Sequence, residues 1–265
     1  MRFMVAICAC LAAGDAAAGA WTLAEGTGQV ITTTGRKIAP VGAFMGGAAD
    51  SDAISSQIYA EYGVADGWTV GLAAYGEFST TDAEDMELRL GGHVRHRVWT
   101  GEKGDTASIQ AGFSAPVESW LGNLAPESLP DSVPEAHLRA LYGRGWQTGW
   151  GNSFVSAEAG FHWRGERADD ELRFDVTAGH EAWKGVLGLF SVFTALPLGG
   201  GDKGGSDATL KLAPSIAYTL WPWLGENDKK PSGPLYPNTI QLGIVWDALN
   251  PDDGLGVQIS IWKSF

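Results

Sequence analysis

The chain is 265 residues long, with a formal net charge of −13, 18% charged residues, 37 glycines and 12 tryptophans. No basic face stands out to neutralise phosphates, which excludes nucleic acid as a partner, and the glycine and aromatic content favours short strands over helices. Both cysteines, Cys8 and Cys10, lie in a segment predicted to be removed, so disulfides, structural zinc and thiol nucleophiles are excluded as well.

Met1 to Ala20 carries one cation, Arg2, an apolar run from Phe3 to Ala13 and the small triplet Ala18-Gly19-Ala20. This pattern predicts a secretory signal peptide cleaved before Trp21, and no later segment reaches the roughly 20 apolar residues of a spanning helix. Residues 21–265 then form one domain. They break into about twelve alternating segments: Gly26–Arg36, Ser55–Gly63, Trp68–Phe78, Glu87–Trp99, Thr106–Val117, Glu135–Gly145, Phe154–Arg164, Glu171–Glu181, Val186–Leu196, Ala208–Thr219, Thr239–Asp247 and Leu255–Phe265. Between them, ADG, GEKGD, RGERADD, GGGDKGGSD and NPDDG supply the residues that tight turns require. The long external loops are expected at 37–54, 79–86, 118–134, 165–170, 197–207 and 248–254.

The faces alternate. Trp68, Val70, Leu72, Ala74 and Phe78 are apolar against Thr69, Gly71, Ala73, Tyr75 and Glu77, and Leu88, Leu90, Val94 and Val98 oppose Arg89, His93, Arg95 and Arg97. Val155, Ala157, Ala159, Phe161 and Trp163 stand against Ser156, Glu158, His162 and Arg164, and Leu172, Phe174, Val176 and Ala178 against Arg173, Asp175 and Thr177. A soluble sandwich also alternates. A closed barrel, however, encloses its polar face, so that Arg89, Arg95 and Arg97 can meet Glu61, Glu77 and Glu158 across a lumen. Trp68, Trp99, Trp163, Trp246 and Trp262 fall near segment ends, where an interfacial girdle would lie. The fold expected is all-β: a closed antiparallel up-and-down transmembrane barrel of about 12 strands, with 10 or 14 as alternatives because the proline-rich interval 220–238 is too long for a simple turn.

The last segment, GLGVQISIWKSF, alternates Leu255, Val257, Ile259 and Ile261 with smaller or polar residues and ends on Phe265. It resembles the closing strand of bacterial outer-membrane barrels, departing at Lys263. The resemblance implies that Val257, Ile259, Ile261 and Phe265 are the signal read by the barrel assembly machinery. Further stretches, AWTLAEGTGQVI at 20–31, YAEYGVADGWTVGL at 59–72, ELRLGGHVRHRVW at 87–99, DELRFDVTAGH at 170–180 and IWKSF at the end, are similar to an uncharacterised alphaproteobacterial group of outer-membrane proteins related to barrel transporters of the phenol meta-degradation type. That likeness implies an integral barrel of the outer membrane, in contact with its lipid and lipopolysaccharide, with a role in passage of small solutes.

The candidate lumen residues are Glu61, Glu77, Arg89, His93, Arg95, Arg97, Arg139, Glu158, His162, Arg173 and Asp175. Cations on a water-filled lumen would favour small anionic solutes. In the competing reading, which a narrow barrel favours, the arginines pair with Glu61, Glu77, Glu158 and Asp175 and fill the lumen, leaving a structural or surface-interaction barrel without conductance. A lipid hydrolase is held in reserve, and no enzyme is expected. None of His93, His96, His137, His162 and His180 begins a His-x-Ser motif, and no G-x-S-x-G elbow occurs. No cofactor or metal is expected either, since Asp82, Glu84 and Asp85, like Asp247, Asp252 and Asp253, lack the spacing of a calcium loop, and no helix is expected after the glycine run 199–205.

Overall fold

The computed structural model describes residues 19–38, 53–79, 86–117, 134–165, 168–183, 185–199, 208–220, 239–250 and 255–265. They form 12 strands: β1 (Gly28–Ile38), β2 (Ala53–Ala65), β3 (Trp68–Ser79), β4 (Met86–Thr100), β5 (Thr106–Pro116), β6 (Glu135–Thr148), β7 (Gly151–Trp163), β8 (Glu171–Trp183), β9 (Val186–Pro197), β10 (Thr209–Thr219), β11 (Thr239–Asp247) and β12 (Leu255–Ser264). Every strand pairs with its sequence neighbours, and β1 pairs antiparallel with β12, so the sheet closes and no edge is left to recruit another chain. The strands run from 9 residues in β11 to 15 in β4, enough to cross a hydrocarbon layer at a barrel's tilt. β10 and β11 are direct partners in the closed wall, which fixes the barrel at 12 strands rather than 10 or 14.

Both described chain ends lie at one rim, here the terminal rim, where Phe265 and Gly28 exchange backbone hydrogen bonds of 2.8 Å. Several turns at this rim are shorter than the sequence suggests. β6 and β7 extend to Thr148 and Gly151, leaving Gly149 and Trp150 as the turn where an eight-residue gap was expected. Three register irregularities, at Gly63/Ala65, Arg97/Trp99 and Glu181/Trp183, all sit at this rim, where bulges turn the chain over a barrel edge. The predicted first strand also begins late. Gly26 has a φ of 80° and belongs to a turn, and strand pairing starts at Gly28.

The outer face is apolar. Leu72, Ile216, Leu242, Val98 and Ile261 are exposed by 70%, 62%, 58%, 53% and 52%, values that would expose a soluble protein to aggregation and that suit hydrocarbon. Val257 and Ile259 join them, as the alternation of the last segment predicts. Tryptophans form two belts: Trp68, Trp99, Trp146, Trp150 and Trp183 at the terminal rim, and Trp163 and Trp246 at the far rim. Trp262 is a correction to the expected girdle. It pairs with Ile31 and Thr239 in the inward register of Ser260 and Gln258, and its indole nitrogen is buried. No helix among the described residues is long and apolar enough to cross a membrane.

Residues 1–18 of the predicted signal peptide and the interval 221–238 lie outside the described residues, as do Asp82, Glu84, Asp85, Asp252 and Asp253.

Candidate functional site

The inner face is divided. β2 to β8 contribute nearly all its charges, whereas β9 to β12 turn Leu187, Leu189, Phe193, Ala213, Ser215 and Gln258 inward. The charged wall is built on a repeated local device, a glycine directly beside a long polar side chain in the strand register. Gly71 lies between Glu61 and His93, Gly112 between His93 and His137, and Gly160 between Arg139 and Arg173. A Cβ on Gly71 would sit 2.1 Å from the His93 ring, and one on Gly112 would sit 2.5 Å from that of His137. The glycines thus let side chains lie flat across a neighbouring strand and reach partners two strands away.

Glu61 is the centre of the first group. Its Oε1 accepts from Arg95 Nη2 at 2.8 Å, from Tyr59 Oη, and sits 3.0 Å from His93 Nε2, while Oε2 accepts from Gln29 Nε2 at 2.9 Å. Arg95 also donates from Nε and Nη2 to Gln110 Oε1, both at 3.0 Å. Glu61 and Arg95 are 2% and 1% exposed, so this is a fully enclosed ion pair with its remaining hydrogen-bonding capacity taken up.

The second group lies on β6 to β8. Arg139 Nη1 donates to Glu158 Oε2 at 3.1 Å and lies 3.5 Å from Asp175 Oδ2, and its Nη2 is 3.2 Å from His162 Nε2. Arg173 reaches Glu171 at 2.8 Å and Glu135 at 3.4 Å, and Arg164 also pairs with Glu171.

Seven of the predicted lumen residues are therefore drawn into these two groups by direct contact: Glu61, His93, Arg95, Arg139, Glu158, His162 and Asp175; Arg173 joins through Glu135 and Glu171. Arg97 does not join. It turns to Asp66 in the β2–β3 turn at 2.6 Å, on a largely exposed rim. Arg89 donates to Ser114 at 3.1 Å, and Glu77 accepts from Tyr75. The expected pairing of Arg97 with Glu61, Glu77 or Glu158 gives way to the pair with Asp66, because Arg97 lies at the terminal rim beside the β2–β3 turn. Sequence reasoning missed Tyr59, Gln110, Glu135 and Glu171: Gln110 lies in register beside Arg95 and Arg139 and Glu171 beside His162, while Tyr59 and Glu135 stand two residues before Glu61 and His137 on the same strands.

It also missed the segment before β1. Residues 20–27 turn into the lumen at the terminal rim. Ala20 is fully buried and accepts from Ser108 Oγ, Trp21 C=O accepts from Arg95 Nη1 at 3.0 Å, and Leu23 N–H donates to Thr69 Oγ1 at 2.8 Å. Trp21 packs edge-on against Phe154 at 6.1 Å, beside the apolar cluster of Phe154, Leu187, Leu189 and Ala217. Gly143 leaves room for the indole and Gly63 for the backbone of Ala24. The barrel is narrowed at this end by its own chain. At the far rim a cavity of about 210 Å³ opens between Lys37, Tyr75, Glu77, Lys211, Asp247 and Gln258. Asp247 is committed to the backbone, accepting from the amides of Leu210, Leu249 and Asn250.

On the outside, Ser153 Oγ and His180 Nδ1 are 2.9 Å apart across β7 and β8. This is a serine–histidine contact that no linear motif announces. The other ring nitrogen of His180 meets no carboxylate among the described residues, so the third member that orients a catalytic base is not supplied there.

No protein-family model matches the chain, and no curated protein matches it in sequence. Solved structures do match in fold. An outer membrane channel from Pseudomonas putida F1 aligns over 94% of this chain and 98% of its own, with 11% identity and a TM-score of 0.54. The NanC porin aligns over 89% of this chain and 98% of its own, with 9% identity and a TM-score of 0.57. At these identities the likeness is one of fold: the chain shares its barrel architecture with these outer-membrane proteins.

Proposed function

We propose that the protein is an integral barrel of the outer membrane, exported behind a signal peptide cleaved before Trp21, and that it is a narrow passive pore for small solutes. The observation that carries this reading is the inversion of polarity: an apolar exterior closed around a wall of ion pairs, with a cavity opening to the far rim between Lys37 and Lys211. The Glu61–Arg95 pair is enclosed, but Arg139 and Arg173 keep part of their side chains exposed, and a hydrated lumen relieves the desolvation of pairs placed in this way. The cations at the mouth would lower the entry barrier for anionic solutes. Kinship with the phenol meta-degradation type of barrel transporter belongs to the same proposal.

The filled-barrel reading is favoured by one observation, the insertion of Trp21 to Leu23 into the lumen beside the Glu61–Arg95 pair. Planar-bilayer recording of the refolded mature chain separates the two. The pore reading expects small steady steps that grow when Trp21 is replaced by alanine, because the indole and the apolar cluster hold the segment in place. Silence from both proteins would overturn it in favour of a structural barrel.

A further inference from the structure

We propose that Glu135, His137 and His162 form a lumen-facing site for a borderline transition-metal dication, zinc being the representative ion. His137 and His162 are direct cross-strand partners on β6 and β7, with ring centroids 5.1 Å apart and planes 23° from parallel. Glu135 stands two residues before His137, on the same face of β6. One ligand atom from each of the three lies within 4.8 Å of the other two. Tetrahedral zinc with bonds near 2.1 Å sets its donors about 3.4 Å apart, so closing the site asks for movements on the order of 1 Å.

Burial supports a ligand role. His162 is 0% exposed, and the Nδ1 atoms of both imidazoles are buried without a hydrogen bond. Glu135 Oε1 faces His162 Nδ1 across 3.4 Å, the gap that a shared ion would bridge. Two imidazoles and one carboxylate select zinc, nickel, copper or cobalt over calcium and magnesium, which prefer all-oxygen shells. The fourth position would face the lumen and take water or a solute.

The surrounding charges permit a dication. Arg139, Arg164 and Arg173 are matched by Glu158, Asp175 and Glu171, which leaves the Glu135 carboxylate to the ion, and Arg89 reaches Ser114, the cross-strand partner of Glu135. Ligation through His162 Nδ1 leaves the ring proton on Nε2, so Arg139 Nη2, now 3.2 Å from that atom, must swing away. Glu158 and Asp175, already beside its Nη1, receive it. An ion here also narrows the lumen, a consequence that rests on the pore reading above, whereas binding does not.

Calorimetry of the untagged, refolded mature chain with zinc chloride tests the site. The expected result is one saturable zinc per chain, no response to calcium or magnesium, and affinity at least about tenfold weaker in His137→Gln and in His162→Gln. Should His162→Gln fail to fold, His137→Gln carries the comparison, since that ring is only partly buried. Cobalt loading adds a second readout, visible absorption of tetrahedral intensity that is lost in the same variant. Absence of saturable zinc binding, or equal affinity in the folded variants, overturns the site. Zinc binding without any bilayer conductance would leave the site standing and count against the pore alone.

Discussion

Glu61 takes hydrogen bonds from β1, β2 and β4 at once, and this convergence makes it the residue whose loss the barrel would feel most. With Glu61→Ala, Arg95 keeps Gln110 and the Trp21 carbonyl but loses its carboxylate partner at 2.8 Å in a place where it is 1% exposed. Removing one member of such a pair typically costs about 3–5 kcal/mol, since the survivor's charge stays desolvated. Arg97→Ala breaks the pair with Asp66, whose side chain is 90% exposed, and is expected to cost under about 1 kcal/mol. Urea unfolding of the two variants refolded into lipid vesicles gives the comparison. Equal losses would mean that water reaches Glu61 as freely as it reaches the rim, and the enclosed ion pair would have to be abandoned.

At the scale of the element, the segment before β1 behaves as a separate part. It is held by a few hydrogen bonds and one indole, not by a ladder, and local stability of this kind is low enough to open without unfolding the sheet. Gly63 shows how to displace it. A Cβ there would stand 2.1 Å from the Ala24 carbonyl oxygen, which is backbone and cannot rotate aside. Gly63→Ala should therefore lift the segment and raise single-channel conductance while Glu61 and Arg95 stay paired. Unchanged conductance would show that the segment does not limit passage. β12 offers the opposite case, a strand whose ladder to β1 and β11 is complete and whose end is tied to Gly28. Deleting Phe265 is expected to cut the yield of folded, membrane-inserted barrel in cells while leaving refolding in vitro nearly intact; equal yields in cells would remove its role as an assembly signal. Both elements bear on what the sequence reveals. Strand positions and faces were legible because alternation over ten residues is a strong periodic signal, and Arg95 and Glu158 followed from parity. Partner choice was not, because it depends on stagger between strands and on glycines such as Gly71 that look like spacers until their register is known. The inserted Trp21 was equally hidden, since a segment without period carries no sign of where it folds.

The whole molecule depends on which side of the sheet is oily, and two adjacent residues on β3 put that to a test. Leu72 is 70% exposed and points outward near mid-strand, while Ala73 points inward, opposite Tyr59 and Gly91. In hydrocarbon a lysine at the level of Leu72 has neither water nor a counter-ion, and near the bilayer midplane the penalty is about 2–4 kcal/mol. At Ala73 the same side chain enters a polar lumen, beside the glycine Gly91 and the phenol-bearing Tyr59, so most of that penalty disappears. Folding free energies of Leu72→Lys and Ala73→Lys, measured by denaturant titration in vesicles, should differ by at least about 1–2 kcal/mol in favour of Ala73→Lys. In a soluble sheet the order would reverse: Leu72→Lys would replace an exposed apolar group with a solvated one at almost no cost, and Ala73→Lys would drive a charge into a packed interior. The sign of that one difference decides whether the polar wall encloses a lumen, and with it whether the ion pairs of β2 to β8 stand beside a path for solutes.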